Sequence, residues 1–553
     1  MDGTVTKWIK AEKPAKYYGE APPEGWDDYH VPDLVKETLA TVGKKIKGHE
    51  DKYDQRDPYD LDGDGNVMEP DGLLDNLFLV HAGPGGDTGG GVLGPNDAIW
   101  PRRSWLDKPT SIPGTSLKAL DYIIQPENGA IGVFSHEYGH NLGLPDEYDT
   151  TNVGADSPIS RWSVMAAGSW AGKTPGTEPS GFSPWAKLFL RNVYGGKWPA
   201  ASVINLDDVK GEKRVKIKEA VADSSQGKIV KINLPDVPRY PATEPIGKES
   251  YFSERGNDLD TKLTSDEIEL PDGKQIALSF DSWRDIEIDY DFFYVNLYEG
   301  ESKDPIRLIK FSDTTDKKWV QESIDLTPYA GKKVVLEFEY VTDTNTAMEG
   351  VFLDQIKVDV DGETLLEDDA DGKDSYFTQN GFTTIDGTPT YYPNYYMLEW
   401  RTHNGVDVGL AHSVTRSGMF AYDPGLVIWY YDGRYGKENF VSQHPGHGFL
   451  GVVDAHQTNI VWNDGWVERS FYQIKDAAFN VKDTSPFRLV SVKNGAILEY
   501  NSEPGVKTFS DDLDYSNPFQ PESGKILPVN GLSISIDKVN KYENEVYITI
   551  SKK

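Results

Sequence analysis

Apolar side chains recur at helical spacing in only a few places along this chain. Elsewhere they fall in short runs or strict alternation. Ile131, Phe134, Tyr138 and Leu142 are the clearest helical series, and they predict a helix with one apolar face. Leu34, Val35, Leu39 and Val42 predict another over 33–47, packed behind a sheet. Ser183 followed by Pro184 has the form of a helix start, a capping hydroxyl and then a residue that needs no N–H, and that helix should run through Tyr194. Apolar stretches at 76–80, leading to His81, and at 121–125, just before the first of these helices, read as strands. Residues 1–200 therefore read as an α/β domain.

Beyond it the pattern is β-rich: aromatic strands alternate with Gly, Asn and Asp turns. Pro-rich hinges at 235–245 and 387–393 bracket a segment of short strands ending in GVFLDQIKV, which resembles a jelly-roll sandwich of MAM or carbohydrate-module type. The strand GKIVKINLP before the first hinge and YYMLEWR after the second are expected to pair. The sandwich, 246–386, would then be an insertion between the first part of a split β domain, 201–245, and a C-terminal β-rich domain, 387–553.

The chain has 553 residues, more than one core usually supports. No apolar run approaches the length of a membrane span. A formal net charge of −33 repels nucleic acid and anionic membranes and favours divalent cations. Cysteine is absent, so any metal must be held by His, Asp, Glu or carbonyl oxygen. Met1-Asp2-Gly3 opens with neither a basic stretch nor an apolar one. That start suits a cytosolic protein or a trimmed secreted one, and the motifs that follow favour the second.

The helix predicted at 131–142 carries HEYGH. His136 and His140 are one turn apart, so both imidazoles reach one metal ion, and Glu137 lies beside them where it can contact a water on that ion. Gly143 suits a left-handed exit from the helix. The chain then turns back and brings Asp146 round as a third ligand, with the adjacent Glu147 as the alternative. Upstream, DLDGDGNVMEPD sets Asp60, Asp62 and Asp64 at positions one, three and five of a calcium loop, with Asn66 at seven and Asp71 at twelve. No helix precedes it, so a stand-alone loop is expected rather than an EF-hand. Asp258, Asp260 and Asp354 are candidates for a further calcium in the sandwich. His444, His447 and His456 lack a supporting carboxylate spacing and read as structural.

HEYGHNLGLPD resembles the extended zinc signature of metzincins, with Asp146 where a third His is usual, and SVMAAG at 163–168 is similar to their methionine turn, with Met165 beneath the metal. HEYGHNLGLPDEYD, DLDGDGNVMEPDG and HPGHGFLGVVDAHQ together resemble the immune inhibitor A family of secreted bacterial metalloproteases, from about Lys7 onward. The resemblance implies an α+β protein: a metzincin-like α/β catalytic domain followed by β-rich domains that include the jelly-roll (MAM-like) sandwich. It also implies catalytic zinc, structural calcium and an extracellular endopeptidase; a monomer is expected. Such an enzyme would cleave host or environmental proteins, including antimicrobial peptides, through metal-activated water with Glu137 as base.

Overall fold

The computed structural model describes the chain except residues 1–2, 21–27, 59–65, 152–153, 155, 258, 274, 301, 344–345 and 373–374. Helix α1 (Val31–Ile46) takes Pro32 in its first turn and buries Val31, Val35, Leu39 and Ile46. They join Leu79, Leu106, Tyr122 and Ile124 in one core. The strands beneath are β1 (Phe78–His81), β2 (Arg102–Ser111) and β3 (Lys118–Pro126). Their order is β1-β3-β2, with β1 parallel and β2 antiparallel to the central β3.

From β3 the chain passes into helix α2 (Ile131–Asn141). The predicted apolar stripe does not mark its most buried side. Ile131 is exposed, while Gly132, Val133, His136, Glu137 and Gly139 are buried. The reason is close packing. A β-carbon on Gly132 would overlap the backbone oxygen of Ser169, and one on Gly139 would overlap Met165 Sδ. The helix lies directly on the 163–169 loop, with the histidine-bearing face inward. Gly143 ends the turn in the left-handed region at φ 86°. Helix α3 (Pro184–Tyr194) follows, with the Ser183 side chain accepting from Ala186 N as its cap.

A five-stranded sheet then combines β4 (Ala201–Asn205) and β6 (Ile229–Asn233), which precede residue 236, with β7 (Asn394–Arg401), β8 (Gly425–Asp432) and β9 (Leu450–Val452), in the order β9-β8-β7-β6-β4. The expected pairing of GKIVKINLP with YYMLEWR forms, antiparallel, from Ile229↔Glu399 to Asn233↔Tyr395. Strand β5 (Glu212–Lys218) pairs with β12 (Glu545–Lys552) in a second sheet that also holds β10 (Thr508–Ser510) and β11 (Leu532–Val539). Successive residues of β7 and β8 feed two cores, as strand alternation requires. Tyr396, Leu398, Ile428 and Tyr430 face the second sheet's side. Met397, Val427 and Trp429 face Leu144, Trp162, Met165 and Trp185. These central strands are therefore apolar on both faces, which is why they read as continuous hydrophobic runs.

By internal contacts the chain divides into two units: residues 1–235 with 393–553, and residues 236–392. In the second unit, strands from two larger sheets share one core. Leu278, Phe280, Val351 and Leu353 come from one sheet, and Val295, Leu297, Leu336 and Phe338 from the other. Among the described residues most of the regular secondary structure is strand, with few helices. Among the described residues no helix is long and apolar enough to cross a membrane.

Candidate metal centre

Helix α2 delivers two imidazoles, and the loop beyond Gly143 delivers a carboxylate. His136 Nδ1 lies 2.9 Å from Val164 O, and His140 Nδ1 lies 2.9 Å from Leu144 O. A carbonyl oxygen only accepts, so both rings carry hydrogen on Nδ1 and turn the Nε2 lone pairs the other way. The two Nε2 atoms are 3.2 Å apart. Asp146 Oδ1 is 3.1 Å from His136 Nε2 and 3.4 Å from His140 Nε2. That oxygen is buried without a hydrogen-bond partner. Three electron-pair donors thus converge with no proton between them in the neutral tautomers. Four tetrahedral ligands at zinc bond lengths of about 2.0–2.1 Å stand roughly 3.3 Å from one another, so the spacing fits such an ion.

Burial opposes ionisation of Asp146, but the two imidazoles outweigh it and hold the carboxyl well below its usual range. Burial also works against a proton on His136, yet the hydrogen bond and charge of Asp146 carry its pKa up to about 9. A metal binding here therefore displaces a proton.

Glu137 stands beside the cluster. Its Oε2 accepts from Arg103 N on β2 at 2.8 Å. The Arg103 guanidinium is itself held by Asp121 on β3 at 2.7 Å, fixing the strand that presents that N–H. Burial pushes the Glu137 carboxyl above its ordinary value, against the pull of both imidazoles and the Arg103 amide.

Glu147, the alternative ligand in the sequence, is not among the donors that converge with the two imidazoles. It is fully buried, its Oε1 accepts from Ser183 Oγ at 2.6 Å, its N–H donates to Met165 O at 2.9 Å, and its carbonyl accepts from Asn439 Nδ2 at 3.0 Å. Met165 is fully buried under Gly139. Tyr148 stacks at 6.3 Å from the His136 ring, and the charge of Asp146, then burial, raises its phenol well above the normal range.

Asp60, Asp62 and Asp64 lie outside the described residues, as does Asp258. Asn66 Nδ2 donates to Glu69 Oε2 at 2.7 Å. Asp71 accepts from Leu73 N at 2.7 Å, while its Oδ2 is buried without a hydrogen-bond partner. Burial, with the charges of Asp54, Asp57 and Asp75 adding to it, lifts Asp71 to about 6. Asp54 and Asp57 were not singled out in the sequence because they precede the loop motif. In the sandwich unit, Asp354 is occupied by Ser250 Oγ at 2.6 Å and by backbone amides, and Asp260 pairs with Lys262. Of the C-terminal histidines, His444 and His447 pack on Tyr435, and both ring nitrogens of His456 face backbone carbonyls. Among the described residues, the His and acidic groups that converge closely enough to hold a metal are His136/His140/Asp146 and Glu287/Asp291/Asp343. No motif spacing announced the second set, whose members come from two loops.

Comparison with known proteins matches residues 1–199 to the immune inhibitor A peptidase M6 catalytic domain, 211–387 to the immune inhibitor A-like MAM domain, and 390–550 to the immune inhibitor A-like metallopeptidase VEG domain. The chain is 39% identical over 566 residues to immune inhibitor A of Bacillus thuringiensis subsp. alesti, covering 97% of this chain and 80% of that protein. It is 38% identical over 574 residues to the pre-pro-metalloprotease PrtV of Vibrio cholerae serotype O1, covering all of this chain and 62% of that one. It thus spans less than two thirds of the Vibrio relative's length.

Proposed function

The chain belongs to the immune inhibitor A family of metallopeptidases, and from that premise we propose that it is a zinc-dependent endopeptidase acting on proteins and peptides outside the cell. His136, His140 and Asp146 would hold the metal. The observation that carries this reading is the convergence of their donor atoms at 3.1–3.4 Å, with Asp146 Oδ1 buried and otherwise unpartnered. When bound, zinc supplies Lewis acidity, which polarises a peptide carbonyl, stabilises its developing negative charge and acidifies water. Glu137 takes the proton from the attacking water and returns it to the leaving amine. Arg103 N orients the Glu137 carboxylate for this exchange through its hydrogen bond.

Strand β2 supports a peptide as substrate. Among the described residues it is an edge strand, the kind of element along which an extended peptide lies, and it carries the residue that touches Glu137. The catalytic region reads as metzincin-like because the α2 ligands, the left-handed Gly143 and the buried Met165 stand together as that signature requires. The 246–386 segment reads as a jelly-roll insertion on the strength of its two sheets around one core. Calcium at Asp60, Asp62, Asp64, Asn66 and Asp71 would be structural, supported by the unpartnered Asp71 oxygen. Hydrogen exchange across 57–75 that ignores calcium counts against it. The name of the Bacillus relative supports extending the substrates to host defence proteins, including antimicrobial peptides.

The test is Glu137→Ala. It is expected to bind zinc as the parent does and to lose about 10²–10⁴-fold in casein hydrolysis. A zinc-loaded variant with near-parental turnover would remove Glu137 from the mechanism.

A further inference from the structure

Two loops of the 236–392 unit each cross from one sheet to the other. Residues 286–291 connect the strand Ile276–Asp285 to Phe292–Glu299, and residues 342–349 connect Lys333–Val341 to Gly350–Val360. Register holds them side by side, because Asp285 pairs with Gly350 in one sheet and Phe292 with Val341 in the other. This juxtaposition gathers Glu287, Asp291 and Asp343, whose carboxylate oxygens lie within 4.8 Å of one another. Asp291 is 0% exposed. Its carboxylate accepts from Asp343 N through Oδ1 at 2.9 Å, while Oδ2 is buried with no hydrogen-bond partner. Glu287 Oε2 is likewise buried and unpartnered, and the Glu287 carbonyl accepts from Asp291 N at 3.0 Å.

Leaving a buried carboxylate oxygen unpaired costs about 1–3 kcal/mol or more, and here two such oxygens face a third acid. We propose that Glu287, Asp291 and Asp343 form a calcium-binding site that clamps the two crossover loops together. The donors are all oxygen, which selects a hard cation over zinc. Three carboxylates displace much of an ion's hydration, which calcium gives up more readily than magnesium. Burial and mutual repulsion lift Glu287 to about 7 and Asp291 to about 6, a like-charge cost that a divalent cation would relieve. The site lies wholly within the 236–392 unit and does not depend on the peptidase reading.

Hydrogen exchange on the full chain tests it, with calcium alone as probe at ~1 mM, the weak end of extracellular calcium modules. Amides in 286–291 and 342–349 should slow by about tenfold, as expected if calcium is present at ten times its dissociation constant. Asp291→Asn should abolish that slowing, while any calcium response across 57–75 persists. If Asp291→Asn does not fold, Glu287→Gln serves in its place. Exchange in these loops that is indifferent to calcium, slowed equally in the variant, or slowed equally by magnesium would overturn the proposal.

Discussion

Glu147 follows Asp146 in the chain, yet the two carboxyl groups make different contacts. Asp146 Oδ1 meets both imidazoles, whereas Glu147 anchors the loop to Ser183, Met165 and Asn439. Asp146→Ala should therefore cost most of the zinc affinity. Glu147→Ala should loosen the metal by only about 10–100-fold, as loss of an orienting contact does. Competition with a chelator measures both, and the reverse ranking would make Glu147 the ligand. Lys525 gives a second prediction at this scale. It is buried, its Nζ donates to His447 O at 2.9 Å, and desolvation lowers its pKa to about 8. The unfolded chain keeps that proton up to about pH 10.4. Between roughly pH 8 and 10.4 the unfolded state binds more protons, so this group adds stability as pH rises, by up to ~3 kcal/mol. Denaturant titrations across that window should show the rise in the parent and its absence in Lys525→Met; parallel curves would contradict it.

At the scale of the element, α2 works as a platform because two of its residues have no side chain. Gly139 leaves room for Met165 beneath the histidines. Gly139→Ala should cost about 1–3 kcal/mol through overpacking and depress activity by displacing His136 and His140. Thermal melting and casein hydrolysis report the two effects, and an unperturbed variant would show the floor to be soft. Much of this element was legible in the sequence. The four-residue interval of His136 and His140 fixes their common side whatever the helix packs against, and Gly143 announced its exit. What the helix lies on was not legible. Ile131 began the expected apolar stripe but is exposed, since the buried side is set by contact with the 163–169 loop, which is distant in sequence. Arg103 and Asp121 escaped notice for the same reason: their importance comes from where β2 and β3 run, not from any local pattern. The Glu287 cluster needed two strand registers to assemble.

In the unit that combines residues 1–235 with 393–553, residues beside the candidate metal centre and the C-terminal chain share one core. Leu144, Trp162, Met165 and Trp185 are buried with Met397, Val427, Trp429 and Phe449. Polar ties cross the same boundary. Trp162 Nε1 donates to Ile474 O at 2.9 Å, and Arg401, fully buried, donates to Trp162 O at 2.9 Å while gripping Asp407 with two bonds at 2.6 and 2.7 Å. A chain ending at residue 235 would expose several large apolar side chains at about 1.5–3 kcal/mol each, against a total stability of roughly 5–15 kcal/mol. It should lack a cooperative melting transition and hydrolyse no casein, although it carries every residue of the centre. A stable, active fragment would show the C-terminal chain to be dispensable. The sequence hinted at this shared core through the aromatic runs of β7 and β8, but composition alone does not say which face meets which partner. The central claim is that two imidazoles and the Asp146 carboxylate hold one zinc ion. X-ray absorption at the zinc edge tests it most directly, on the active protein and on Asp146→Ala. The parent should show two imidazole ligands and oxygen at about 2.0–2.1 Å, with one oxygen ligand lost or exchanged in the variant. Full activity without zinc, or a zinc environment lacking imidazole, would contradict the account.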